Sequence, residues 1–161
     1  MTTIAWDGKN MASDSQSSMG DLVCSISEQK IHIPKKGETW IINNHEIAAI
    51  GMSGDCGSEM ELIDKLKAGI NYDTEFSPVR DFSAIAVVSP LFAYLLFKDK
   101  STTHALISKQ IEPVAIGSGG ICAQVAMLCG KNAMEAVDIA KTLDIYSGGD
   151  TRSFRVIGGK P

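Results

Sequence analysis

The hydrophobic pattern changes period along the chain, and the order of those changes limits the fold. The first third reads as short strands. Ile4 to Trp6 and Asn10 to Asp14 flank Asp7-Gly8, a D-G turn signal, so they predict a hairpin. Residues 23–28 do not alternate cleanly, but Lys30 to Ile33 reads as a strand that stops at Pro34. Trp40 to Asn43 and Glu46 to Met52 predict a second hairpin around Asn43-Asn44. Met60, Ile63, Leu66 and Ile70 then follow helical spacing, with Ser58 as the expected N-cap and Gly69 as the stop. Phe82 to Ser89 and Phe92 to Lys98 return to strand character, followed by Thr103 to Lys109 and Val114 to Ile116. Gly117 to Gly120 breaks the pattern, and a helix is expected from about Ile121 to Cys129. Asn132 and Glu135 have capping-box spacing and open a helix whose core face is Ala133, Ala136, Val137, Ala140 and Leu143. A loop at Ser147-Gly148-Gly149 leads to a last strand, Ser153 to Ile157. Strands, helix, strands, two helices, strand is the order of a layered α+β fold rather than a doubly wound parallel sheet.

The length of 161 residues suits one domain over 1–161 with one sizeable core. With 44% hydrophobic and 21% charged residues, the composition is that of a soluble globular protein. A net charge of −4 gives no reason to expect nucleic acid. No apolar run reaches the roughly 20 residues that span a bilayer. The start, Met1-Thr2-Thr3-Ile4-Ala5-Trp6-Asp7, has no basic stretch followed by an apolar one, so no export signal and a cytoplasmic protein are expected. Cys24, Cys56, Cys122 and Cys129 form no C-x-x-C pair, and His32, His45 and His104 are scattered. No metal and no cofactor are expected, and the thiols should be reduced and partly buried.

Loss of Met1 would leave Thr2 with its hydroxyl and a free α-amine on one residue. That amine titrates near ~7.7–8.0, so it can accept the hydroxyl proton at working pH. Taken singly, Thr2 is an ordinary start, Asp14 and Lys30 read as solvated charges, and Gly54 as a plain turn glycine. Their order is what matters. Thr2-Thr3-Ile4, then Ala12 to Gln16 with Asp14, then Lys30 sixteen residues on, precede Gly51-Met52-Ser53-Gly54. Ala115-Ile116-Gly117-Ser118-Gly119-Gly120, the Ala133 to Ala140 helix and Asp144-Ile145-Tyr146-Ser147-Gly148-Gly149 follow. The glycine loop lacks the G-K-[ST] of a phosphate-binding loop.

This series resembles the proteasome β-subunit and HslV peptidase pattern of the N-terminal-nucleophile (Ntn) hydrolases. The resemblance covers the chain from Thr2 to about Ser147. It implies an α+β fold of four layers, α-β-β-α, with two antiparallel sheets between helix layers. It implies a threonine peptidase with Thr2 as nucleophile, Asp14 holding Lys30 beside it, and Gly54 N–H stabilising the oxyanion. Asp144 and Ser147 would orient the Thr2 amine, and Met52 or Ser53 would line the side-chain pocket. The family works as homo-oligomeric rings, stacked around a chamber and commonly served by an AAA+ ATPase unfoldase, with peptide or unfolded protein as substrate. One departure concerns the glycine loop. Proteasome β-subunits often carry G-S-G-S there; the last serine is Gly120 in this chain, leaving Ser118 as the candidate substitute. The chain is also short between Asp81 and Val114. A non-catalytic assembly protein with this fold, or an Ntn amidase acting on a small molecule, remain the alternatives.

Overall fold

The structure is a computed structural model and describes residues 1–157; the last four positions of the expected domain lie outside the described residues. In chain order the elements are β1 (Thr3–Trp6), β2 (Asn10–Ser13), β3 (Ser17–Met19), β4 (Leu22–Ser25), β5 (Ile31–His32), β6 (Ile41–Ile42), β7 (His45–Glu46), β8 (Ala49–Gly54), α1 (Ser58–Ala68), β9 (Phe82–Ser89), β10 (Phe92–Lys98), β11 (Leu106–Gln110), β12 (Val114–Gly117), α2 (Gly120–Leu128), α3 (Ala133–Leu143) and β13 (Arg152–Arg155).

Two antiparallel sheets dominate. One has the order β12-β1-β2-β13, the other β11-β10-β9-β8-β5. Their pairing follows local signals. β1 and β2 close the Asp7-Gly8 hairpin with Ala5 opposite Ala12. The near-continuous apolar runs of β9 and β10 pair along their lengths in the second sheet, with Leu95 opposite Ile85. Three apolar clusters hold the elements together. Ile4, Trp6 and Met11 of the first sheet meet Ile85, Val87 and Ala93 of the second. Leu62 and Leu66 of α1 pack with Phe82, Ala84 and Leu96 on the second sheet's other side. Ala123, Ala126 and Met127 of α2 and Ala133 to Ala140 of α3 pack on Ala5 and Ala12. The side chains at this last contact are small, so the helices approach the strands closely. No helix among the described residues is long and apolar enough to cross a membrane.

Several expectations need correction. The run Glu46 to Met52 is not one strand. β7 closes the Asn43-Asn44 turn with β6, both asparagines having left-handed φ (47° and 66°), and β8 then leaves for the second sheet. Ser58 is the first helical residue rather than the N-cap of α1. Gly57, with φ 88°, takes the cap position, and Ser58 Oγ donates to the Asp55 carbonyl. No side chain caps that end, but Glu59 and Glu61 oppose the helix dipole. On α3 the capping box is present, yet the buried stripe ends at Ala140. Leu143, the final helical residue, is 68% exposed. The last strand ends at Arg155, and Ile157 lies beyond it, exposed. The thiols are free, but Cys24, Cys56 and Cys129 are exposed rather than partly buried; Cys122 alone is half-buried.

Candidate active site

The candidate residues come from element ends that hydrogen bonds and one cavity bring together. Thr2 precedes β1, Asp14 follows β2, Lys30 precedes β5, and Gly54 closes β8. Ser118 follows β12, Asp144 is the C-cap of α3, and Ser147 sits in the loop beyond. Extended chain sends successive side chains to opposite faces. Thr2 accordingly lines a cavity of about 170 Å³ with Lys30, Met52, Ser53 and Gly54, while the Thr3 hydroxyl lies against Ser147.

Asp14 and Lys30 are not solvated charges. Asp14 is 0% exposed and Lys30 6%, and Lys30 Nζ donates to Asp14 Oδ1 at 2.8 Å. The carboxylate is saturated. Thr3 N also donates to Oδ1 (3.0 Å), and Gln16 N and Gly148 N donate to Oδ2 (3.1 and 3.0 Å). Lys30 Nζ also donates to the carbonyls of Gln16 and Met1, the latter at 3.3 Å. The ammonium is therefore next to the backbone that joins Met1 to Thr2. Burial lowers the Lys30 pKa, against the raising influence of the Asp14 hydrogen bond and of the charges on Asp14, Glu28 and Asp144.

A second hydrogen-bond chain ends at Thr2 N, which donates to Ser118 Oγ at 3.2 Å. Ser118 Oγ spends its one proton on Asp144 Oδ2 at 2.6 Å, so toward Thr2 N it is an acceptor. Ser147 Oγ also donates to Asp144 Oδ2, at 2.6 Å, which makes Thr3 Oγ1 the donor in its 2.7 Å contact with Ser147. Burial pushes the Asp144 carboxyl up. Hydrogen bonds from Ser118, Ser147 and the Tyr146 amide, with the nearby N-terminal charge, outweigh this and hold it below the ordinary carboxylate range.

Ser118 and Ser147 thus stand at different distances from Thr2. Ser118 touches its backbone nitrogen, whereas Ser147 reaches Thr3. Gly120 is the first residue of α2, backed on Ala115; Ser118 occupies the place beside Thr2. Gly54 has no room for a side chain, since a Cβ would lie 2.5 Å from the Asp81 carbonyl oxygen. The corner after it is tied down by Asp55, whose amide donates to Asp81 O (3.0 Å) and whose carboxylate accepts from Asp81 N (3.1 Å) and Lys100 (3.1 Å). Thr3 and Gln16 were not anticipated. The only sequence signal for Gln16 is the Asp-x-Gln spacing of an Asx turn, which Gln16 N to Asp14 Oδ2 completes. Thr3 carries no such signal.

Solved structures of similar fold exist. BPH of Thiobacillus denitrificans in complex with epoxomicin matches at TM-score 0.66 and 14% identity over 99% of both chains. The chain shares that fold. A second structure of Thiobacillus denitrificans BPH matches at TM-score 0.61 and 17% identity, over 99% of this chain and 98% of BPH. No family profile matches the chain, and no curated protein does.

Proposed function

We propose that the chain is an N-terminal-threonine hydrolase that cleaves peptide bonds with Thr2 once Met1 is removed. The observation that carries this reading is the Thr2 N–Ser118–Asp144 chain on one side of Thr2, with buried Lys30 on the other. Freed of Met1, the nitrogen that meets Ser118 becomes the α-amine. Thr2 Oγ1 attacks the substrate carbonyl, and the amine takes its proton. The Gly54 N–H holds the oxyanion. Collapse breaks the C–N bond, the amine returns the proton to the leaving nitrogen, and an ester forms on Thr2. Water, deprotonated by the same amine, hydrolyses it. Lys30, fixed by Asp14, disfavours a protonated amine by charge and favours the developing alkoxide. Asp144 and Ser118 orient the amine, and Ser147 supports Asp144 from the Thr3 side. Met52 and Ser53 line the pocket for the substrate side chain.

The same reading includes an Ntn sandwich with layers in the order α-β-β-α, supported by the three apolar clusters. It includes a cytoplasmic homo-oligomeric ring, served by an AAA+ unfoldase and acting on peptides or unfolded protein. Support for the enzyme reading also comes from BPH, a protein of this fold that binds epoxomicin. The test is intact mass of the purified protein, then incubation with a peptide epoxyketone, whose adduct needs both a hydroxyl and a free amine. Expected are loss of Met1 and one adduct on Thr2, abolished in Thr2→Ala. A chain that is processed, folded and ring-sized but takes no adduct would instead favour the non-catalytic assembly reading.

A further inference from the structure

We propose that the Thr2 cavity selects substrates with a cationic side chain, Lys or Arg, at the residue whose carbonyl is attacked; this rests on Thr2 being the nucleophile. Three acidic residues, Glu28, Asp55 and Glu59, border the cavity, with Lys30 as the one basic side chain. Lys30 acts on Glu28 only through space, because its ammonium is hydrogen-bonded to Asp14, itself fully buried. The Asp55 carboxylate is already engaged by Lys100 and the Asp81 amide. The other two are not offset in that way. Glu59 Oε1 has only His32 Nε2 at 3.5 Å, a group that is charged only when protonated. Glu28 has no salt bridge among the described residues, and its backbone N–H is pinned to the Ser15 carbonyl at 2.8 Å, beside Asp14. Met52 lines the same cavity and is 7% exposed. Met52 lining one cavity with Glu28 and Glu59 suits a long side chain with an aliphatic stem and a charged head. An anionic side chain would meet like charge, and a purely apolar one would leave the carboxylates without a partner.

The experiment compares three fluorogenic peptide amides that differ only in Arg, Leu or Glu at that residue, on protein whose Thr2 is exposed by intact mass. Epoxyketone labelling of Thr2 is read in parallel. Expected is a kcat/KM for Arg about tenfold above Leu, from two partly screened charge pairs each contributing up to about fivefold, with Glu slowest. Raising the salt concentration should shrink the Arg-to-Leu ratio. Glu28→Gln combined with Glu59→Gln should lower that ratio about tenfold. If Thr2 is labelled but Leu is cleaved as fast as Arg, or the double variant keeps the ratio, the selectivity inference is overturned while the nucleophile stands. If no peptide is cleaved and Thr2 takes no label, the underlying reading falls and this inference falls with it.

Discussion

Asp14→Ala is expected to be among the most damaging single substitutions in this chain, and the reason is arithmetic on one carboxylate. Asp14 accepts from Lys30, Thr3, Gln16 and Gly148 with no exposure to solvent. Truncation leaves a buried ammonium without its counter-ion and three amides without an acceptor. Removing one partner of a buried pair costs about 3–5 kcal/mol. At about 2–4 °C per kcal/mol for a protein of this size, the melting temperature should fall by about 6–20 °C. Lys30→Met removes the other charge and keeps most of the stem's volume. In the double variant the ammonium is no longer stranded, so the two costs should not add. A coupling of about 2–3 kcal/mol is expected. Urea unfolding followed by fluorescence of the buried Trp6 and Trp40 measures all four corners of the cycle. Strict additivity, or an Asp14→Ala cost under about 1 kcal/mol, would refute the argument that this pair is an interdependent buried unit.

Asp144→Asn should flatten the acid limb of stability. A carboxyl held below its usual 3.8 contributes stability that is complete above that value and is lost as pH falls through the lowered one, so urea midpoints of the two proteins should converge only at the acid end. Thr3→Val removes the donor to Ser147 at a fully buried position and should cost about 1 kcal/mol in the same assay, leaving the Ser147–Asp144 bond in place. Gly54→Ala forces a methyl to within 2.5 Å of the Asp81 carbonyl oxygen, and a loss of about 1–3 kcal/mol is expected by thermal unfolding; an unaltered protein would mean that the corner can yield.

The parts of the fold legible in the sequence were those with a local cause. Asp7-Gly8 announces its hairpin, the apolar runs from Phe82 and Phe92 give β9 and β10 with their ends, and Asn132 with Glu135 marks the start of α3. The β3–β4 hairpin was not legible. Met19, Leu22 and Val23 all face solvent, so burial imposes no alternation there. The division of Glu46 to Met52 between two sheets was hidden for another reason: composition does not report which partner strand a residue meets. At the site, the resemblance supplied the residues and their order, but not their environment. Asp14 and Lys30 look like surface charges until the backbone amides around them are placed. Which serine meets Thr2 is likewise a matter of how the loop at Gly117 turns. Gly117 adopts φ 93°, and a Cβ there would sit 1.8 Å from the Thr2 carbonyl oxygen, so the fit of Ser118 against Thr2 depends on a missing side chain one residue away.

The hydrogen bonds around Thr2 and Asp14 also impose an order in time. Thr2 leaves the ribosome well ahead of its partner, since its contact with Ser118 spans 116 residues, and Gly148 closes on Asp14 across 134. At about 5–20 residues per second, Thr2 spends several seconds on a growing chain without those partners. In the proposed mechanism, a ribosome-bound or prematurely ended chain that stops before Asp144 has the nucleophile but not the groups that orient its amine. On that reading the emergence of Ser118 and Asp144 acts as a licence, separating the making of the residue from the making of the site.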